Sequence, residues 1–245
     1  MKPRFLGIVL LVLACSSANA SLVSRAGGQA YYDTATNLTW VADANLAKTS
    51  GYDLDGAMTW TAAQAWISSL NAQNGGQGYL GVNDWRLPNT GPLNGSTYSY
   101  TFGYDGSTDS SFNIGVTGTI YAGSTASEMA YMYYINLGNT AYYNTSGGGA
   151  ACATSPPYQC LANTAPFSNV QNFVYWSATQ STRFSSYAWN FNFYNGNQSD
   201  YAKTTSYHAW AVRPGDITPV PVSGAVWLFG SALGLMGVMR RKISS

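Results

Sequence analysis

The chain has 245 residues, of which 46% are hydrophobic, 15% aromatic and only 9% charged, against about a quarter charged in ordinary domains. Its formal net charge of +1 conceals an uneven distribution: between Ser21 and Thr218 six basic residues stand against ten acidic ones, a net charge of −4, and the other five cations sit at the two ends. A weakly acidic body without a basic cluster gives no electrostatic footprint for DNA or RNA, so nucleic acid is excluded as a partner.

At the N-terminus, Lys2 and Arg4 precede an apolar run from Phe5 to Ala14, and Ala18-Asn19-Ala20 supplies a small-x-small cleavage pattern before Ser21. Residues 1–20 therefore read as a secretory signal peptide. Cys15 permits a lipoprotein reading, but the bulky Leu13 makes it the minor alternative. The next segment, QAYYDTATNLTWVAD, sets two aromatic runs around a polar turn and predicts a hairpin from about Ala30 to Val41. In GYDLDG, Asp53 and Asp55 before Gly56 form a fragment of an oxygen-rich cation loop, lacking the third acid and distal Glu of an EF-hand.

The spacing of Ala63, Trp66, Ile67 and Leu70 predicts a helix, with Thr61 and Gln64 as a capping box. NDWRLP follows at 83–88. Asp84 and Arg86 could form a catalytic or ligand pair, because an opposite charge fixes a carboxylate's ionisation and geometry. The structural reading is favoured: Trp85 and Leu87 alternate as a short buried strand, Pro88 closes it, and Arg86 bonds neighbouring carbonyls or an acid. Asp105 and Asp109 sit in a second incomplete oxygen-rich loop. The two loops leave calcium open as a cofactor, with no metal ligands assigned.

A second helix is predicted from STASEMAYMYYINLGN, with Thr125 and Glu128 as its cap, Met129, Met132, Tyr133 and Leu137 on one face, and Gly138 as its stop. Cys152 and Cys160, the cysteines left after signal removal, lie in one short loop, and a local disulfide is the expected state in an oxidising compartment. In YAWNFNFYNG, Trp189, Phe191 and Phe193 alternate with Asn190 and Asn192, and Asn195-Gly196 suits a tight hairpin turn. SYHAWAVRP continues the period, grouping His208, Trp210 and Val212 on one strand until Pro214. His208 reads as a packed sheet residue rather than a catalyst.

From Val220 to Met239 twenty residues carry no charge, enough for a helix to cross the roughly 30 Å core of a bilayer. Arg240, Arg241 and Lys242 follow at once, and such cations stay on the cytoplasmic side, placing the bulk of the chain outside.

NDWRLP, VYWSAT at 174–179 with Trp176, YAWNFNFYNG at 187–196 and AVRPG at 211–215 occur in an order that resembles the Lcl C-terminal domain-like family. DTATNLTW, DANLAKTSGYD and MTWTAAQAW resemble the same family's opening segment. The resemblance implies an α+β, C-type-lectin-like or formylglycine-generating-enzyme-like fold with antiparallel strands and two helices. The tail VPVSGAVWLFGSALGLMGVMRRK resembles PEP-CTERM sorting signals, although Val220-Pro221-Val222 stands where Pro-Glu-Pro would be. That resemblance implies a sorting protease of the inner membrane as a partner. The expected organisation is a signal peptide at 1–20, a single Lcl C-terminal-like ectodomain at 21–218 and a sorting and transmembrane segment at 219–245.

The expected function is that of an exported cell-surface or matrix protein, anchored first in the inner membrane and then transferred to the envelope or matrix, that binds polysaccharide without catalysis. Sugars present apolar ring faces beside hydroxyls, which aromatic rings and amides suit. Trp189, Phe191 and Phe193 are assigned to the core, leaving Asn190, Asn192, Tyr194 and Asn195 as the exposed ligand candidates. The alternatives are a structural matrix protein without a specific ligand and a formylglycine-generating-enzyme-like enzyme. Fold analogy alone supports the enzyme, and fold analogy does not transfer function. No Ser-His-Asp pattern or pair of glycosidase-type acids is visible.

Overall fold

The computed structural model describes residues 22–154 and 159–217. In chain order they form strands β1 (Leu22–Arg25), β2 (Ala30–Asp33) and β3 (Leu38–Val41), helix α1 (Leu46–Thr49), strand β4 (Ala57–Met58) and helix α2 (Trp60–Gly76). Two short strands, β5 (Phe102–Gly103) and β6 (Ser110–Ser111), precede helix α3 (Glu128–Tyr131), which runs into a π-helical turn over Met132–Asn136. Helix α4 (Ala151–Thr154) leads to β7 (Val174–Gln180), β8 (Tyr187–Asn192), β9 (Asn197–Ala202), β10 (Tyr207–His208) and β11 (Val212–Pro214).

The predicted hairpin pairs Ala30 with Val41, and Asn37 turns the chain at φ 54°. Strand β11 returns from the far end of the chain to complete the four-stranded sheet in the order β1-β2-β3-β11. Arg25, at the end of β1, and Asp216, just after β11, link the two outer strands of this sheet with a 2.6 Å ion pair. A second sheet runs β4-β10-β7-β8-β9, and β5 and β6 form a two-stranded sheet of their own. The fold is α+β. Most pairs are antiparallel, as expected, but β10 with β7 and β5 with β6 are parallel.

Neighbouring residues on the same strands enter different hydrophobic clusters. Trp40, Tyr175 and Trp210 join Met129, Tyr133, Phe191 and Phe193 on one side. Val41, Trp176 and Ala211 join Trp66, Leu70, Trp85 and Leu87 on the other. The alternation of side chains across a strand thus feeds two cores, one beneath α3 and one beneath α2.

Both main helices form on the predicted faces, with shifted starts. Thr59, not Thr61, caps α2, its hydroxyl accepting from the Ala62 amide at 3.4 Å. Ser127, not Thr125, caps α3, accepting from Ala130 at 3.2 Å. Glu128 is drawn away from the cap because its carboxylate binds Arg86. Met129, Met132, Tyr133 and Leu137 are all buried as expected.

SYHAWAVRP is not one strand. His208 belongs to β10 in the five-stranded sheet, whereas Val212 belongs to β11 in the four-stranded one, and the chain crosses between them at Ala209–Ala211. Trp210 is held at this crossing by its indole N–H, which donates to the Val41 carbonyl at 2.8 Å.

The expected transmembrane helix and inner-membrane anchoring are corrected. Among the described residues no helix is long and apolar enough to cross a membrane. The longest, α2, has 17 residues, departs from helical geometry at Gln73–Gly75, and buries only the stripe containing Ala63, Trp66, Ile67 and Leu70. A one-sided stripe suits packing on a sheet, not contact with lipid on every side. The signal peptide at 1–20, the apolar run at 220–239 and the sorting residues Pro221, Arg240, Arg241 and Lys242 lie outside the described residues.

Candidate functional site

NDWRLP is a structural junction. Trp85 and Leu87 are buried, and the Trp85 indole donates to the Tyr79 carbonyl at 2.8 Å. Arg86 and Val212 exchange backbone hydrogen bonds at 2.8 and 2.9 Å, and the Pro88 carbonyl accepts from Ala178 at 2.8 Å. The Arg86 guanidinium grips Glu128 through two contacts of 2.7 Å and also reaches the Leu87 carbonyl. Asp84 points elsewhere, taking two hydrogen bonds from Arg213 at 2.6 and 3.0 Å. Asp84 and Arg86 therefore have separate partners and do not form a pair with each other. Trp176 is fully buried, its indole donating to the Met58 carbonyl at 2.9 Å.

The four proposed ligand residues separate. Asn190 is only 3% exposed, which corrects its assignment to an open amide face: β8 has a core on both sides, so alternation does not put alternate residues in water. Its Nδ2 has no hydrogen-bond partner among the described residues. Asn192 and Asn195 are half-buried and cap their own turn, their side-chain oxygens accepting from Tyr194 N at 2.9 Å and Asn197 N at 3.0 Å. Tyr194 is exposed. The connection is a four-residue turn rather than a two-residue one, and Gly196, at φ 80°, donates to the Asn192 carbonyl at 2.7 Å.

None of the four lines the open cleft of about 280 Å³ that is bounded by Asn113, Val116, Tyr134 and the 139–150 loop. The turn touches that loop from outside the cleft, the Asn195 carbonyl accepting from Tyr142 N at 2.9 Å. Asn113, Asn139 and Asn144 bring amides to the cleft, Tyr143 brings a ring, and Val116 and Ala141 supply apolar surface. None of the residues lining it carries a charge.

Beneath the cleft lies a connected polar network. The Tyr134 hydroxyl donates to the Gly196 carbonyl at 2.6 Å and accepts from Asn113 N at 3.0 Å. Burial pushes its ionisation far above the ordinary phenol range, so it acts only as a neutral hydrogen-bonding group. Asn139 accepts from Ala162 N and Asn163 N at 2.9 and 2.8 Å. Asn113 sits at φ 57°, a left-handed conformation that asparagine tolerates better than most residues. Sequence reasoning missed Asn113, Asn139 and Tyr143, because the contacts that define them join segments tens of residues apart.

The acidic loops are occupied by their own backbones. Asp53 accepts from Asp55 N and Gly56 N at 3.2 and 2.8 Å. Asp105 accepts from Ser107, and the buried Asp109 bridges Leu93 N and Ser99 N at 2.8 and 2.7 Å. Among the described residues no group of three or more His, Cys, Asp or Glu could hold a metal ion. His208 packs against the Gly56 carbonyl at 3.2 Å, and burial lowers its pKa. Cys152 and Cys160 are joined by a disulfide, with an S–S distance of 2.04 Å.

A mixed α+β domain with an uncharged, amide-rich cleft is the class that this fold and site define. The chain belongs to the Lcl C-terminal domain family, whose model matches residues 29–155. The match includes NDWRLP and the Asn113, Tyr134 and Asn139 positions, and it ends before β7, so VYWSAT, YAWNFNFYNG and AVRPG lie beyond it. No curated protein matches the sequence.

Proposed function

We propose that this domain is a non-enzymatic, lectin-like module that binds polysaccharide in a cell-surface or matrix setting, each site holding its glycan weakly. The observation that carries this reading is the uncharged cleft, in which amides and a tyrosine ring stand beside a small apolar wall. Carbohydrates offer the complementary pattern of hydroxyls and apolar C–H faces, and pockets that bind neutral ligands combine apolar lining with a few placed polar groups. The Cys152–Cys160 bridge fits an oxidising compartment.

The experiment is a glycan array probed with the purified chain, with and without calcium chelation. Retention on neutral polysaccharides, with no conversion of the bound glycan, is the expected result. No binding to any glycan would favour a structural matrix protein without a specific ligand, and turnover of a bound glycan would replace both readings with an enzyme. Loss of binding on chelation would assign calcium a part.

A further inference from the structure

Tyr143, the aromatic ring of the cleft lining, is the inner end of a row of rings. Tyr104 meets it edge to face with 5.1 Å between centroids, and Phe102 meets Tyr104 in the same way at 5.1 Å. Exposure rises outward along the row: Tyr143 is half-buried, Tyr104 is 36% exposed and Phe102 is 54% exposed. The buried Phe112 contacts all three at 5.1 to 6.1 Å and fixes the row to the core. Single exposed rings are ordinary on a protein surface, whereas touching rings that continue a cleft leave a joined apolar strip in water.

The row and the cleft are one piece. The side chain of Asn113, a cleft residue, donates from Nδ2 to the Tyr104 carbonyl at 2.7 Å and to the Tyr143 carbonyl at 2.8 Å, so one amide sets the spacing of two of the rings. Gly147, in the loop that bears Tyr143, lies so near Tyr104 that an added Cβ would come within 3.1 Å of its ring. Phe102 is carried on β5, in register with Ser110 of β6. A surface held this firmly loses little conformational entropy when a ligand is laid on it.

The charge beside the row is negative. Asp105 follows Tyr104 and is exposed, and the Ser107 hydroxyl at 2.7 Å and Ser107 N at 3.1 Å hold its carboxyl below the ordinary range. The cation–ring contacts of the described residues fall elsewhere, on Tyr32, Tyr100, Phe184 and Trp60. An anionic chain laid on the row would meet Asp105 with no cation over these rings to offset it. A neutral chain meets no such cost.

We infer that the cleft and this row form one extended site, in which a neutral polysaccharide chain is held along its length and not by its terminal sugar alone. This rests on the carbohydrate-binding reading and names the substrate class, a neutral polymer. One sugar unit sits in the cleft with its hydroxyls among the amides, and the units that follow lay their C–H faces on Tyr104 and Phe102. Each added unit is already tethered to the bound one, so affinity grows with chain length until the row is covered.

The test is ligand-observed NMR titration of the purified full chain with β-1,4-glucan, β-1,3-glucan and α-1,4-glucan oligosaccharides of one to six units, and with oligogalacturonates of the same lengths as the anionic series. In at least one neutral series affinity should rise at least about tenfold from the monosaccharide to the tetrasaccharide, and the oligogalacturonates should bind more weakly at every length. Phe102→Ala should remove most of that rise and leave the monosaccharide affinity unchanged, while Phe102→Tyr, which keeps the ring, should retain it. So exposed a side chain can be truncated with little effect on melting, and Phe102→Gln repeats the measurement should the alanine variant melt early. Affinity independent of length, a rise unaltered in the folded variants that lack the ring, or tighter binding of the oligogalacturonates would overturn the inference and leave the polysaccharide-binding reading standing. Failure of every glycan to bind would overturn both.

Discussion

The two terminal nitrogens of Arg86 each lie 2.7 Å from a carboxylate oxygen of Glu128, joining the NDWRLP segment to the first turn of α3. The same carboxylate accepts from Asn89 N at 2.7 Å, so one acid orders both the strand and the chain leaving it. Such a fork is geometrically specific in a way that a lysine ammonium is not.

Arg86→Ala should therefore destabilise the domain by about 2 kcal/mol, leaving a largely buried carboxylate without its cation, and Arg86→Lys should recover only part of that loss. Asp84→Asn should cost less than about 1 kcal/mol, since Asp84 is 45% exposed in its pair with Arg213. Urea unfolding of the three variants measures the order. Equal losses for Arg86→Ala and Asp84→Asn would count against Arg86 as the central tie.

Gly196→Ala should lower stability by more than an ordinary turn substitution. Its φ of 80° disfavours any side chain, and an added Cβ would lie 2.4 Å from the Tyr134 hydroxyl. The two effects together amount to about 2–4 kcal/mol. Thermal melts should show the drop, and the cleft should lose its ligand with it, because Tyr134 also holds Asn113. A melting temperature within a degree of wild type would show that the turn relaxes freely.

Burial lowers the His208 pKa below its ordinary 6.5, outweighing the opposite pull of the Gly56 carbonyl, Asp55 and Asp53, and Lys48 also opposes protonation. As pH falls through 6.5 the unfolded chain takes up the proton before the folded one does. Stability therefore declines with falling pH between 6.5 and the folded value, and levels off below it. Denaturation across pH 7.5 to 5 should show this slope in the wild type and a shallower one in His208→Gln. Identical slopes would remove His208 as the cause.

Reduction of the Cys152–Cys160 bridge should raise the intact mass by two hydrogens and cost about 2–3 kcal/mol, the entropy of closing so short a loop. Cys152 follows the cleft-lining Ala150 by two residues, and the Cys160 amide donates to the Tyr194 carbonyl at 3.2 Å. The reduced protein should accordingly show weaker glycan binding before it unfolds. Free thiols in the purified native protein would contradict the bridge.

Local pattern was enough for the elements whose partners are near in the chain. The two aromatic runs around a polar turn gave the β2–β3 hairpin between Ala30 and Val41, Ala63, Trp66, Ile67 and Leu70 gave the buried face of α2, and two cysteines in one loop gave the disulfide. Residue spacing records which side chains share a face, but it carries no information about what covers that face. Asn190 reads as solvent-facing by alternation and is buried because a second core lies over it. His208 and Val212 share a period and end in different sheets, because the crossing at Trp210 depends on where β3 already stands. Arg86 finds Glu128 across 42 residues, Asp84 finds Arg213 across 129, and Asn113 is oriented by carbonyls 9 and 30 residues away. Composition alone determined that the polar groups of this domain would be mainly amides and hydroxyls beside aromatic rings, with little charge. Only the path of the chain through space decided which of those groups met, because hydrogen bonds and packing act over a few ångströms, whatever the separation in sequence.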